Sequence, residues 1–286
     1  MAAPDSYRHA TNLVGLPTGL LASPDYNDHP LRLSIHGTRE TNAALFRMLG
    51  DAAGLADAQA AFRAYMNAVF DLDAPNPPDR LGRKRHRSSY LKVLHGWGFD
   101  ANGPAGAVLK GWVESRFGLA PLFHKAPLGP YPSPAWMTYV EEKMAARYHT
   151  NAIAQQFDLL YEYGQWLFWG DWHGTAGTAR TARGGLPGWP YPPCRHLTLY
   201  RGVNDFSEHQ VVCWLGKREA IARHNNLVSF TDSRETADTF GDTLLEVAVP
   251  ISKILFCNAL LDGPVLRGEG EYLAIGGDFR VRLAYL

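Results

Sequence analysis

An arginine followed by a glycine, Arg201-Gly202, ends a short run of alternating side chains in the last third of the chain. A guanidinium presents its N–H donors as a planar fork that matches the oxygens of a phosphate. Glycine has no Cβ atom, so a ligand can approach its backbone closely. Alone, such a pair is more often a surface arginine at the end of a strand than a ligand-binding residue.

Two hydroxyl side chains, Ser229 and Thr231, lie 28 and 30 residues further on and are separated by one residue. Because side chains alternate along a strand, the two hydroxyls share one face. Ser233 can then cap a helix predicted over residues 234–239, which Phe240-Gly241 would end. The ordinary alternative is a strand with two hydroxyls followed by a helix cap.

Two carboxylates, Glu269 and Glu271, flank Gly270 near the C-terminus, and Gly268 precedes them. At positions i and i+2 of an extended segment they project to the same side. Neighbouring like charges repel each other and disfavour folding. We therefore expect such a pair mainly where a function uses the two carboxylates. The alternative is an exposed acidic turn.

The order of these features is more specific than any one of them. An aromatic-Arg pair, a Ser-x-Thr strand and a Glu-x-Glu turn follow one another, and the sequence thereby resembles the Arg–Ser–Glu class of mono-ADP-ribosyltransferases. Ser-Phe-Thr stands where that class often has Ser-Thr-Ser, which keeps the first and last hydroxyls.

More closely, the chain resembles the dinitrogenase reductase ADP-ribosyltransferases, bacterial enzymes that switch off nitrogenase. The resemblance extends over most of the chain. It includes two segments without catalytic signatures, NLVGLPTGLLASPDYN at 12–27 and HGWGFDANGPAGAVLKGWVESRFGL at 95–119, and the segments LYRG, NNLVSFTDS and GEGEYLAIGG.

The resemblance implies that NAD is a substrate. Arg201 would bind an NAD phosphate, and the backbone of Gly202 would meet the nicotinamide amide. Ser229, Thr231 and Glu271 would complete the NAD-binding set. Phe240 would stack on the nicotinamide ring, unless it belongs to the core after the predicted helix.

The same resemblance divides the chemistry among the acidic and hydroxyl side chains. Glu271 would hydrogen-bond the nicotinamide-ribose 2′-hydroxyl and stabilise the oxocarbenium-like charge that develops as nicotinamide leaves. Ser229 would brace Glu271. Glu269 would orient an incoming guanidinium and accept a proton, and glutamate at this position implies an arginine target.

The implied protein substrate is dinitrogenase reductase, the nitrogenase iron protein, modified on one arginine so that nitrogenase is inactivated. The turn at 260–268 would recognise that target. The family also implies a PII-type nitrogen-signalling protein as regulator. Two alternatives stay open: an arginine-directed ADP-ribosyltransferase with another protein target, and a catalytically silent regulator that binds NAD or a partner.

The elements that must position these residues fall into two parts. Helical spacing of apolar residues dominates from about 40 to 169, with helices predicted around Leu55–Phe70 and Ile153–Tyr161. Ser133-Pro134 predicts a helix start, and Asn102 predicts the cap of a helix that carries Val108 to Val113.

After a Gly/Pro-rich connection at 170–193 the apolar period becomes two. Strands are predicted at 196–201, 227–231, 243–249, 253–257, 271–275 and 279–285. We therefore predict an α+β fold, with a largely helical N-terminal part (1–169) packed on a β-rich ADP-ribosyltransferase core (194–286) that binds NAD. Because that core is only 93 residues long, helices must help to build the NAD cleft, and residues 1–286 should form a single compact unit.

Composition excludes several classes of protein. Lysine plus arginine equals aspartate plus glutamate at 28 each, so nothing in the net charge favours nucleic acid or an anionic membrane. No run of about 18 apolar residues predicts a membrane span. Three dispersed cysteines and histidines without ligand spacing predict neither disulfides nor a metal site. We expect a cytoplasmic protein.

Two further patches have no catalytic signature. A basic run at 80–87 is either a solvated loop or a docking site for an acidic partner. An aromatic cluster at 161–172 is dense enough that we expect most of it in the core.

Overall fold

The computed structural model describes residues 12–72, 89–171, 186–192, 194–206, 210–263, 265–266 and 271–285. Within them lie ten α-helices and eight β-strands. The helices are α1 (Thr18–Leu21), α2 (Pro24–Asp28), α3 (Thr38–Thr41), α4 (Ala43–Gly50), α5 (Leu55–Phe70), α6 (Tyr90–Phe99), α7 (Pro104–Phe117), α8 (Pro134–Ala145), α9 (Asn151–Phe168) and α10 (Arg234–Asp238). The strands are β1 (Phe123–His124), β2 (Ala126–Pro127), β3 (His196–Val203), β4 (Val211–Gly216), β5 (Glu219–Thr231), β6 (Thr243–Pro250), β7 (Ile254–Cys257) and β8 (Glu271–Tyr285).

Side-chain caps begin several helices where the sequence places a hydroxyl before an apolar stripe. The Ser133 hydroxyl accepts from the Trp136 backbone N–H, and Pro134 occupies the first turn of α8, so this predicted start is confirmed. The predicted Asn102 cap is wrong. Helix α7 begins after Gly103, and the Asn102 amide oxygen instead accepts a hydrogen bond from Lys110.

The C-terminal sheet has six antiparallel strands in the order β4-β5-β3-β6-β8-β7. Strand β5 also pairs along β8, so that β3, β6, β8 and β5 form a closed circuit of hydrogen-bonded neighbours. Strand β3 meets β5 only through the pair Tyr200 and Thr231 within the described sheet. The two strands therefore diverge beyond that pair.

Three strand predictions need correction. Residues 271–275 and 279–285 belong to one strand, because Gly276 and Gly277 continue β8 instead of ending it. A Cβ atom on Gly276 would lie 1.7 Å from the Asn225 carbonyl oxygen, so only glycine fits against β5 there. Strand β5 begins at Glu219, eight residues before its predicted start, and β4 was not predicted.

Helix α9 joins the two parts of the chain. Fourteen of its 18 residues are buried, which agrees with the predicted core role of the aromatic cluster for Tyr161, Tyr163, Trp166 and Phe168. The Tyr161 hydroxyl donates to the Ser252 carbonyl at 2.7 Å, and the Gln165 amide donates to the Ile251 carbonyl at 3.1 Å. The helix thereby satisfies backbone groups of the turn between β6 and β7.

The predicted α+β class is confirmed, with most helices before the sheet and packed against it. All three cysteines are free thiols. In the part of the chain that the structure describes, no helix is long and apolar enough to cross a membrane, and no three candidate metal ligands cluster. The basic run at 80–87, and residues 172–185 and 193 of the 170–193 connection, lie outside the described residues.

Lys253 is a fully buried cation in the core between α2 and β8. Its Nζ donates to the Gly276 carbonyl at 3.1 Å and lies 4.8 Å from the centroid of the Phe279 ring and 5.4 Å from that of Tyr26. Burial lowers the pKa of Lys253 to about 7, and nearby Asp278 opposes that shift.

We expect the free energy of unfolding to rise between pH 7 and pH 8. In this range the folded chain releases the Lys253 proton while the unfolded chain, with a pKa near 10.4, keeps it, so stability increases with pH. Over one pH unit the rise should be about 1 kcal/mol. Urea unfolding at the two pH values measures it.

In the Lys253→Met variant the rise should be smaller by about 1 kcal/mol, because a side chain of similar length no longer carries the proton; buried Lys110, whose pKa is lowered to about 8, supplies what remains. Lys217→Met, at an exposed lysine, is the matched control and should keep the rise. An unchanged pH dependence in Lys253→Met would contradict the lowered pKa.

Candidate active site

The register between β5 and β8 brings a hydroxyl to a carboxylate. Thr231 lies opposite Glu271 and Ser229 lies opposite Leu273, so Ser229 and Glu271 are diagonal neighbours on one face. The Ser229 Oγ donates to the Glu271 Oε1 at 3.1 Å. The two side chains are thus held together by strand pairing.

Arg201 reaches the same place from β3. The strand continues to Val203, so this arginine lies inside the strand and not at its end. Its Nη1 donates to the Ser229 carbonyl at 2.8 Å, across the gap where β3 and β5 diverge. Burial lowers the pKa of the guanidinium, and no ion pair joins it to an acidic side chain of the described residues.

A cavity of about 530 Å³ opens beside these strands, and Arg201 and Ser229 form part of its wall. That volume is in the range of small-molecule sites. Trp97 of α6 and Lys110 of α7 line it from the other side. The cavity is therefore built jointly by the sheet and by the N-terminal helices.

Trp97 makes a direct contact with the strand residues. Its indole Nε1 donates to the Ser229 Oγ at 3.0 Å, and its side chain is 5% exposed. Two glycines permit this approach. A Cβ atom on Gly96 would lie 2.5 Å from the Ala105 Cβ, and one on Gly106 would lie 2.0 Å from the Ala101 carbonyl oxygen. Helices α6 and α7 consequently pack closely enough to present Trp97 to Ser229.

Helix α7 is in turn tied to β5. The Asn226 amide donates to the Lys110 and Leu119 carbonyls, each at 2.8 Å, and the Asn225 Oδ1 accepts from the Leu122 backbone N–H at 2.9 Å. These bonds act three and four residues before Ser229. The same strand therefore carries both the site and its attachment to the helices.

Lys110 is a second cation at this cavity, and it is 1% exposed. Its Nζ donates to the Asn102 Oδ1 and the Phe123 carbonyl, each at 3.0 Å, and lies 3.3 Å from the His124 Nδ1. Burial lowers the pKa of Lys110 to about 8. Its donors are thus directed mainly to acceptors of the protein.

Three other expected site residues have different surroundings. Thr231 is buried, and its Oγ1 accepts from the Ser233 backbone N–H at 3.1 Å in the turn before α10. A Cβ atom on Gly202 would lie 2.0 Å from the Ala237 carbonyl oxygen, so α10 packs directly against this glycine. Phe240 is 68% exposed, which rules out its core alternative.

Glu269, the first of the two carboxylates, lies outside the described residues, as do residues 264, 267 and 268 of the 260–268 turn. The strand that follows is fixed at its start. The Tyr272 hydroxyl donates to the Asp232 Oδ2 at 2.9 Å, which ties β8 to the turn after β5. The first two residues of β8 are therefore both held by side-chain hydrogen bonds, Glu271 to Ser229 on one face and Tyr272 to Asp232 on the other.

Comparison with known proteins agrees with this chemistry. The family model for dinitrogenase reductase ADP-ribosyltransferase matches residues 11–177 and 189–283. The chain belongs to the dinitrogenase reductase ADP-ribosyltransferase family. A Rhodospirillum rubrum protein named NAD(+)--dinitrogen-reductase ADP-D-ribosyltransferase is 50% identical over 282 residues, which are 97% of this chain and 96% of that protein. No solved structure matches the chain.

Membership of this family confirms the resemblance stated from the sequence, including its two segments without catalytic signatures. Sequence reasoning missed Trp97 and Lys110 as cavity residues. The available signal was the 95–119 segment itself, whose glycines at 96 and 98 alternate with His95, Trp97 and Phe99. Nothing in it indicated a contact with Ser229, which lies 132 residues away.

Gly202→Ala should lower the free energy of unfolding by about 1–3 kcal/mol, because the new Cβ atom forces α10 away from β3. Denaturant unfolding of the purified variant measures the loss. Gly216→Ala is the matched control, since nothing lies within 4 Å of its added Cβ atom. Equal stability of Gly202→Ala and the parent would show that α10 does not constrain this position.

Proposed function

We propose that this chain transfers ADP-ribose from NAD to a specific arginine of dinitrogenase reductase, releasing nicotinamide and inactivating nitrogenase. The observation that carries the proposal is the linked set of Arg201, Ser229 and Glu271, in which Arg201 and Ser229 line the cavity and Glu271 is bonded to Ser229. The family membership and the name of the R. rubrum relative support the same reaction and the same protein substrate.

In this reaction the bond between nicotinamide and ribose C1′ breaks, and nicotinamide leaves with the electron pair. Positive charge then develops on the ribose, as it does in glycoside hydrolysis. A guanidine nitrogen of the target attacks C1′, forms the new C–N bond and loses one proton. The protein must therefore stabilise a developing cation and accept a proton from the nucleophile.

Glu271 is the proposed stabiliser of the developing charge. A carboxylate beside the ribose 2′-hydroxyl interacts more strongly as the positive charge grows, which lowers the barrier more than it strengthens substrate binding. The Ser229 hydroxyl holds one carboxylate oxygen at 3.1 Å, so Glu271 is orientated before NAD binds. Preorganisation of this kind avoids reorganisation during the reaction.

Arg201 is the proposed phosphate-binding residue. It is a half-buried cation that one backbone carbonyl satisfies only partly, and a phosphate would supply the missing charge and acceptors. We assign the nicotinamide amide to the backbone of Gly202, at the edge where β3 and β5 diverge. Exposed Phe240 is available to cover the nicotinamide ring, and Thr231 supports the turn beneath it.

Glu269 is the proposed partner of the nucleophile. A guanidinium with a pKa above about 12 is a poor nucleophile until it loses a proton, and a carboxylate can both orient its fork and accept that proton. The glutamate at this position supports an arginine as the modified side chain.

We further propose a cytoplasmic location and regulation by a PII-type nitrogen-signalling protein. The supporting argument is the family, whose name gives dinitrogenase reductase as the protein substrate. The basic run at 80–87 is one candidate for contact with an acidic partner surface.

Incubation with NAD labelled in the adenylate part and with purified dinitrogenase reductase tests the proposed function. We expect label on one arginine of dinitrogenase reductase and release of nicotinamide. Label on other proteins but not on dinitrogenase reductase would favour an arginine-directed transferase with another target. Absence of both label and nicotinamide release would favour a silent regulator.

Glu271→Gln should reduce both transfer and nicotinamide release at least about a hundredfold, because the neutral amide no longer stabilises the developing cation. Its melting temperature and NAD affinity should change little. Glu269→Gln is the comparison variant. It should lose transfer to arginine while retaining hydrolysis of NAD, since only the nucleophile is affected. Full transfer by Glu271→Gln would refute the assignment.

A further inference from the structure

Trp97 occupies a position that no catalytic signature includes. Its indole N–H lies 3.0 Å from the Ser229 Oγ, and the same Oγ lies 3.1 Å from the Glu271 Oε1. The three side chains form one hydrogen-bonded line from helix α6 to the first residue of strand β8. The helical half of the chain thereby contacts the proposed catalytic carboxylate through one intermediary.

The direction of these two bonds follows from the chemistry of the groups. An indole N–H can only donate, so the Ser229 oxygen must accept from Trp97. A serine hydroxyl has a single proton, and with the oxygen engaged by the indole that proton points to the carboxylate. A carboxylate accepts such a bond when it is ionised. The Trp97 indole N–H, which can only donate, thus sets the direction of both hydrogen bonds at the Ser229 Oγ.

We propose that Trp97 is a positioning residue for ADP-ribose transfer, acting through Ser229 to direct the hydroxyl proton at Glu271 and hold that carboxylate ionised and in place. This inference rests on the proposed function of Glu271. Without the indole N–H, the hydroxyl is free to rotate between several acceptors, and Glu271 loses a fixed donor. A carboxylate that loses a donor holds its charge less firmly.

The surroundings of Trp97 are those of a group held in one orientation. The side chain is buried, and the Lys110 ammonium lies 6.0 Å from the centroid of its ring. Helix α6 is fixed at its start, where the Tyr90 backbone N–H donates to the Gln156 Oε1 at 2.8 Å. The contact of Gly96 with Ala105, and that of Gly106 with Ala101 in the connection between the helices, hold α6 closely against α7. The indole N–H is therefore presented to Ser229 by packing on several sides.

Trp97→Phe removes the donor and retains an aromatic ring. We expect kcat for nicotinamide release to fall about tenfold, as for loss of one donor near the reacting centre, with a smaller change in KM for NAD. The acidic limb of the kcat profile should move to higher pH. The melting temperature provides the structural readout.

Trp112→Phe is the matched control. Trp112 lies in α7, is 4% exposed, and donates its indole N–H to the Asp158 Oδ1 at 2.8 Å, away from the cavity. The Trp112→Phe variant therefore loses a buried indole hydrogen bond, while the bond between Trp97 and Ser229 is retained. We expect a similar loss of melting temperature and an unchanged pH profile. A shifted profile in Trp112→Phe, or an unshifted one in Trp97→Phe, would overturn the inference.

A double-mutant cycle with Ser229→Ala separates positioning from general structural damage. If Trp97 acts through Ser229, then Trp97→Phe should cause no further loss of kcat in the Ser229→Ala background. The same tenfold loss in both backgrounds would overturn the inference. An inactive parent protein would refute the proposed function itself. An active parent protein whose kcat is unchanged by Trp97→Phe would refute only the role of Trp97.

A measurement without turnover covers the case in which Trp97→Phe does not fold. The chain has eight tryptophans, and selective substitution assigns their indole N–H signals in an NMR spectrum. The Trp97 indole proton should exchange with solvent slowly in the parent protein and faster in Ser229→Ala. Equal exchange rates in the two proteins would overturn the inference.

Discussion

The pairing of β5 with β8 is the constraint on which the rest of the site depends. With Thr231 opposite Glu271, the hydroxyl of Ser229 lies one diagonal step from the carboxylate, and a shift of one residue would turn one of them to the opposite face. Two structural features secure that register: Tyr272 is bonded to Asp232 across the end of the strands, and Gly276 accommodates the Asn225 carbonyl near their middle. The chemistry proposed for the site therefore depends on backbone pairing before it depends on any side chain.

The N-terminal helices supply the part of the cavity wall that the short C-terminal sheet does not form. Asn225 and Asn226 bind the end of α7 to β5, glycines let α6 lie close to α7, and Trp97 returns to the same strand at Ser229. Two buried lysines lie along this junction, Lys110 at the cavity and Lys253 behind the sheet. Burial lowers the pKa of both, so the free energy of folding and the charge at the cavity are linked to pH by the same physical effect.

Family membership and geometry bear on different questions. The match to the dinitrogenase reductase ADP-ribosyltransferases identifies the reaction and substrate that a relative is named for, but it does not say how any residue acts. The geometry joins Arg201, Ser229 and Glu271 into one bonded group beside a cavity of about 530 Å³. It also explains a family segment that has no catalytic signature, because residues 95–119 include both the tryptophan at Ser229 and the glycines that bring it there.

The sequence by itself determined the α+β class, the start of α8 at Ser133-Pro134, the burial of the α9 aromatics and the order of the chemical residues, because these follow from local period, capping and composition. It misplaced the start of α7, divided β8 at its glycines and did not show that α10 packs against Gly202. Tertiary structure alone decided the contact of Trp97 with Ser229 and the role of Asn225 and Asn226. A hydrogen bond between residues 132 positions apart leaves no periodic trace in the sequence, since it depends on how distant elements pack and not on local backbone preference.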